Sequence, residues 1–78
     1  QEMLEKLKSL SQGEMKTLKL VNNNKTSKEI AELLFLSEKT IENYRSKICQ
    51  KLGLPPRNNS LVLWINENKE LLSALNEF

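Results

Sequence analysis

Between residues 38 and 52 the chain sets Lys39, Asn43, Ser46 and Gln50 at spacings of four, three and four, which is one face of an α-helix. Asn and Gln carry a donor and an acceptor side by side and can pair bidentately with the edge of adenine, while a Ser hydroxyl can donate or accept. Lys39, Lys47 and Lys51 suit phosphates, whose contacts hold a protein in place without reading sequence. Tyr44 and Arg45 lie at the boundary of this face. Tyr44 can bury its ring and send its hydroxyl to a phosphate, and a plain core-edge tyrosine fits the position equally well.

Other chemistry is excluded by what the 78 residues lack. With no His and a single Cys there is no zinc site and no intrachain disulfide. No Gly-rich phosphate loop occurs, and no Ser or Cys has a His to activate it, so an enzyme is not expected and no cofactor or metal is called for. Cys49 falls on an apolar stripe and reads as a small buried hydrophobe. No apolar run approaches a membrane span, so no membrane contact is expected. The net charge of +2 is small, but it is unevenly spread. Residues 24–57 carry seven Lys or Arg against four Glu, whereas residues 58–78 carry one Lys against three Glu. The surplus lies around the face that would meet phosphates.

The elements that position this face are two short helical patterns within Lys25 to Gly53. The first starts at Thr26, an N-cap with Glu29 three residues on to close a capping box. Ile30, Leu33 and Leu34 then share a face, with Ala31 beside them where a second helix can approach closely. The second starts at Ser37, with Leu36 placed to staple onto Ile41. Ile41, Ile48, Cys49 and Leu52 form its inward stripe, and Gly53 stops it. Two compact helices with a three-residue joint predict a helix-turn-helix, whose second helix enters the DNA major groove.

The flanking chain reads as helical too. Met3, Leu4, Leu7 and Leu10 make a short seam, the tail of a linker helix or a frayed end. Ser11 and Glu14 form another capping box, with Leu10 and Met15 as its staple, and Met15, Leu18 and Val21 facing inward. Gly13 weakens that helix by about 1 kcal/mol relative to Ala, and Asn22-Asn23-Asn24 ends it. After the Leu54-Pro55-Pro56 connector, Asn58 or Asn59 can cap a helix whose Leu61, Trp64 and Ile65 close the core. Val62 and Leu63 are left on other faces, where either a partner or a contact with the terminal segments can cover them. Leu71, Leu72, Leu75 and Phe78 recur at helical spacing. The expected fold class is all-α: a four-helix bundle containing a helix-turn-helix, with extra helical turns at the termini. Residues 1–9 are expected as a linker, 10–68 as the helix-turn-helix domain and 69–78 as an amphipathic tail. The start at Gln1 suggests a piece of something longer.

The segments L-S-Q-G-E (10–14), T-S-K-E-I-A-E-L-L-F-L-S-E-K-T-I-E-N-Y-R-S-K-I (26–48) and K-L-G-L (51–54), with Arg57, closely resemble the LuxR/NarL-type (GerE-like) helix-turn-helix. That family supplies the DNA-binding output domains of bacterial response regulators and related transcription factors. The resemblance covers about residues 10–66. It implies four helices, the third reading DNA and the fourth often making a homodimer. Its base-reading positions fall on Glu42, Asn43 and Ser46, and its phosphate-contacting positions on Lys28, Lys39, Thr40, Tyr44 and Lys47. Its core positions match Leu18, Ile30, Leu34, Leu36, Ile41, Ile48 and Leu52. Glu42 stands where many members have Lys, Tyr44 where His is frequent, and Asn24 where Gly is usual.

From these follow the expectations. The chain is a sequence-specific DNA-binding output domain of a bacterial transcription regulator in the cytoplasm. Its partners are double-stranded DNA, a second copy through the fourth helix at Val62 and Leu63, and an upstream receiver or sensor domain, as in two-component systems. A related possibility is a sigma-factor-type promoter-reading region, which the F-L-S-E-K-T and K-L-G-L segments disfavour. The alternative from a different class is a protein-interaction or dimerisation module that keeps the fold without binding DNA.

Overall fold

The computed structural model describes residues 2–55, 57 and 59–74. Pro56, Asn58, Leu75 and Phe78, which entered the expectations above, lie outside the described residues, as does the side chain of Met3. Among the described residues six helices follow one another: α1 (Glu2–Lys8), α2 (Gln12–Asn22), α3 (Ser27–Leu34), α4 (Glu38–Leu52), α5 (Ser60–Glu67) and α6 (Lys69–Ala74). The four expected domain helices are α2 to α5, and α1 and α6 are the extra terminal turns.

The starts are set locally. Ser11 Oγ accepts from the Glu14 N–H at 3.2 Å while Glu14 Oε1 accepts from the Ser11 N–H at 2.9 Å. Thr26 and Glu29 repeat the pair at 3.2 and 2.9 Å. Ser37 Oγ accepts from the Thr40 N–H at 3.1 Å. Each cap satisfies backbone donors that the first helical turn leaves unpaired. Asn59 occupies the cap position of α5, but its side chain makes no capping hydrogen bond.

The stops of α2, α3 and α4 share one device. Asn24 (φ 64°), Phe35 (φ 57°) and Gly53 (φ 74°) are all left-handed. The next N–H reaches back five residues in each case: Lys25 to Leu20 O at 3.0 Å, Leu36 to Ala31 O at 2.9 Å and Leu54 to Cys49 O at 2.8 Å. This is the Schellman arrangement. Gly adopts that backbone freely and Asn does so at modest cost, but a Phe there is unusual.

α4 is the hub, packed against α1, α2, α3 and α5. Its Ile41, Ile48, Cys49 and Leu52 meet Leu18 and Val21 of α2, Ile30 and Ala31 of α3, and Leu61, Trp64 and Ile65 of α5 in one core. Leu7, Leu10 and Leu72 belong to the same core, so the terminal helices share it. Burial drives the Cys49 thiol pKa up, the Arg45 charge opposing only in part.

Two apolar expectations are corrected. Leu33 was expected on the inward face of α3 but is 53% exposed, and Leu36, expected as a staple and core residue, is 40% exposed. The buried side of α3 is centred on Ile30, Ala31 and Leu34, and Leu33 lies off that face, turned outward. Among the described residues, α1 and α6 do not cover the outer residues of α5. Although α6 packs on α5, Val62 remains 41% and Leu63 52% exposed.

Candidate nucleic-acid interface

Fifteen residues give α4 a length of about 22 Å. With Ile41, Ile48, Cys49 and Leu52 buried, the opposite side presents Lys39, Glu42, Asn43, Ser46, Lys47 and Gln50 to solvent, all exposed. Lys28, in the first turn of α3, is exposed as well. The groups able to read bases thus lie on one straight strip, which the rigid core behind α4 holds in place.

Of the remaining candidates, Thr40 and Tyr44 are half-buried and Lys51 is exposed but paired within the chain. Thr40 is half-buried, its hydroxyl 2.8 Å from Ser37 Oγ at the helix start. Tyr44 is half-buried over the first turn of α2, where a Cβ added at Gly13 would stand 2.9 Å from both Cζ and Oη of the ring. Gly13 therefore makes room for Tyr44, a reason that helix propensity could not reveal. Lys51, expected on phosphate, donates within the chain to Glu14 Oε1 at 2.7 Å and to the Ser9 carbonyl at 3.1 Å. The flank of α4 that carries Tyr44 and Lys51 is turned to the start of α2.

Glu14 is nearly inaccessible yet charged. Burial works to raise its pKa, but the hydrogen bond from Lys51, the Ser11 N–H and the Lys51 charge together outweigh that and hold the carboxyl below its ordinary 4.5. Exposed Glu29 is also lowered, chiefly by the Thr26 N–H that it accepts.

Beside the strip lies an open groove of about 520 Å³, lined by Val21, Asn24, Lys25, Thr26, Ser27, Glu42, Arg45 and Val62. Glu42 forms part of its wall, facing a region that also carries Lys25 and Arg45. Sequence patterns gave no hint of this groove, since its lining comes from four helices and a turn.

α3, the joint of Phe35, Leu36 and Ser37, and α4 together make a helix-turn-helix domain of all-α class. The chain belongs to the luxR family of bacterial regulatory proteins, whose family model matches residues 8–63. It is 43% identical over 53 residues to the spore germination protein GerE of Bacillus subtilis, covering 68% of this chain and 72% of that protein. It is 50% identical over 54 residues to the transcriptional regulatory protein TdiR of Thauera aromatica, covering 69% of this chain and 24% of the relative. The DNA-binding transcriptional activator DevR/DosR of Mycobacterium tuberculosis is 39% identical over 56 residues, covering 72% of this chain and 26% of the relative. The chain thus spans most of GerE but only about a quarter of the other two. No solved structure matches it.

Proposed function

We propose that this chain binds duplex DNA in a sequence-dependent way as the output domain of a bacterial transcription regulator, with α4 in the major groove. The observation that carries this is the exposed strip of Asn43, Ser46 and Gln50, flanked by Lys39 and Lys47, on the second helix of a luxR-family helix-turn-helix. Asn43, Ser46 and Gln50 read base edges, and Glu42 accepts from a cytosine amino group where the operator offers one. Lys28, Lys39, Thr40, Tyr44 and Lys47 contact phosphates. The chain works in the bacterial cytoplasm as a homodimer through Val62 and Leu63 of α5, which places two recognition helices on two half-sites. An upstream receiver or sensor domain controls that pairing, a reading supported by relatives about four times longer than the matched segment.

The test is retention from a random duplex pool at two salt concentrations, followed by sequencing. Enrichment of a two-fold symmetric motif supports a dimeric reader, and a single half-site means a monomer. No retention even at low salt overturns the proposal in favour of an interaction module, a reading that Glu42 and the internal pairing of Lys51 favour because both reduce cationic contact. True DNA binding weakens steeply with salt, whereas an apolar protein contact does not.

A further inference from the structure

The joint of the helix-turn-helix carries an apolar surface that the DNA-reading face does not use. Leu33 and Leu36 are about half exposed, and Phe35 between them is 93% exposed. Phe35 is unfavourable on two counts. Its left-handed backbone prefers Gly or Asn, and its ring gains no burial within the chain. Neither cost is offset inside the molecule, and residues kept under such conditions are commonly engaged by something outside it.

The surrounding charge says what that is. Between Lys28 and Lys39 the chain holds Glu29, Glu32 and Glu38 and no cation, and all three carboxylates are exposed. Glu29, Glu32 and Leu33, with Lys25, line an open groove of about 250 Å³ on the outer side of α3. The acidic character is local to these three carboxylates, since Lys25 shares the groove and Lys28 and Lys39 flank the stretch.

We propose that Leu33, Phe35 and Leu36, with the exposed carboxylates Glu29, Glu32 and Glu38 of the same stretch, dock a cationic amphipathic helix of another protein. The apolar face of the partner covers Phe35 and its neighbours, and its Lys or Arg side chains pair with the carboxylates. The surface includes neither the outward strip of α4 nor Val62 and Leu63, so it stands or falls separately from DNA binding and from dimerisation.

The test titrates the isotope-labelled chain with two synthetic helical peptides, each with Leu along one face and either Lys or Glu along the other. The Lys peptide is expected to shift amide resonances saturably within residues 29–38, and the Glu peptide to leave them unmoved. Phe35→Asn keeps the left-handed stop, so the unfolding midpoint and DNA retention hold, while peptide affinity falls by about tenfold or more, as for loss of a central aromatic anchor. Glu32→Lys is expected to weaken the same peptide. The proposal is overturned if the shifts fall on α4 beyond Glu38 or on α5 instead, or if Phe35→Asn binds the peptide as well as the parent chain. A loss of DNA retention in Phe35→Asn would make the ring a DNA contact, and a loss of self-association would make the occupant a second copy; either result overturns the proposal.

Discussion

Lys51 Nζ lies 2.7 Å from Glu14 Oε1, joining the last turn of α4 to the first turn of α2 across 37 positions of sequence. The same carboxylate caps α2 by accepting from the Ser11 N–H, so one oxygen serves both a helix start and a helix–helix contact. Lys51→Met is expected to destabilise the fold by about 1–2 kcal/mol, less than for a fully buried pair because the lysine side chain is 36% exposed. Chemical denaturation of the two chains measures this. If Lys51 serves structure rather than phosphate, the salt slope of DNA binding stays unchanged in the variant.

The pH dependence of that difference has a definite sign. Glu14 titrates below its ordinary value in the folded chain, so its contribution is complete above about pH 4.5 and is lost as pH falls through the folded pKa. The stability gap between the parent and Lys51→Met should be full at neutral pH and should narrow in acid. Denaturation curves collected from pH 7 to 3 would show it, and a gap that widened in acid would contradict the assignment.

Gly13→Ala sets two effects against each other. Helix propensity alone promises a gain of about 1 kcal/mol, but the new methyl would meet the Tyr44 ring at 2.9 Å. Overpacking of about 1–3 kcal/mol is expected to win. The loss should vanish in a Tyr44→Ala background, where the methyl has room, and a double-mutant cycle by thermal melting reads the coupling.

Asn43→Ala and Lys47→Ala should fail differently. The first is expected to cost about 1–3 kcal/mol on the preferred operator and to relax base preference there. The second should weaken all duplexes alike and reduce the log–log salt slope by about 0.9. Binding isotherms on specific and scrambled duplexes separate them, and equal changes in specificity would end the division into readers and anchors.

Leu63→Glu is expected to abolish self-association while leaving the monomer folded, since an exposed site of this kind usually changes stability by under about 0.5 kcal/mol. Sedimentation of parent and variant gives the answer directly. A variant that stays dimeric would move the interface away from α5.

Much of this architecture was legible in the chain because helix starts and stops are local. Ser11 with Glu14, Thr26 with Glu29, and Gly53 each need only near neighbours to act, and each acts as its type suggests. The strip on α4 was legible for the same reason, as a single helical period fixes both its buried and its exposed side. Leu33 and Leu36 were misjudged because apolar type alone does not say which side of a short helix its neighbours cover, here the side of Ile30, Ala31 and Leu34. The pairing of Lys51 with Glu14 was not legible, because the partner lies on a distant segment and no local pattern announces a contact of that range. Gly13 looked like a weakness until the tyrosine that needs the space was in view.

The left-handed stops at Asn24, Phe35 and Gly53 bear on chirality. At those three points the backbone occupies the territory that a D-amino acid adopts by default, while the helices between them are built for L-residues. In a chemically synthesised chain, a mirror-image alanine at position 53 would sharpen the end of α4, whereas the same inversion one turn earlier would break it. From α2 to α4 the protein is therefore a set of right-handed rods, each ended at a point of opposite hand. Those joints are where unnatural stereochemistry could be written into it without changing its shape.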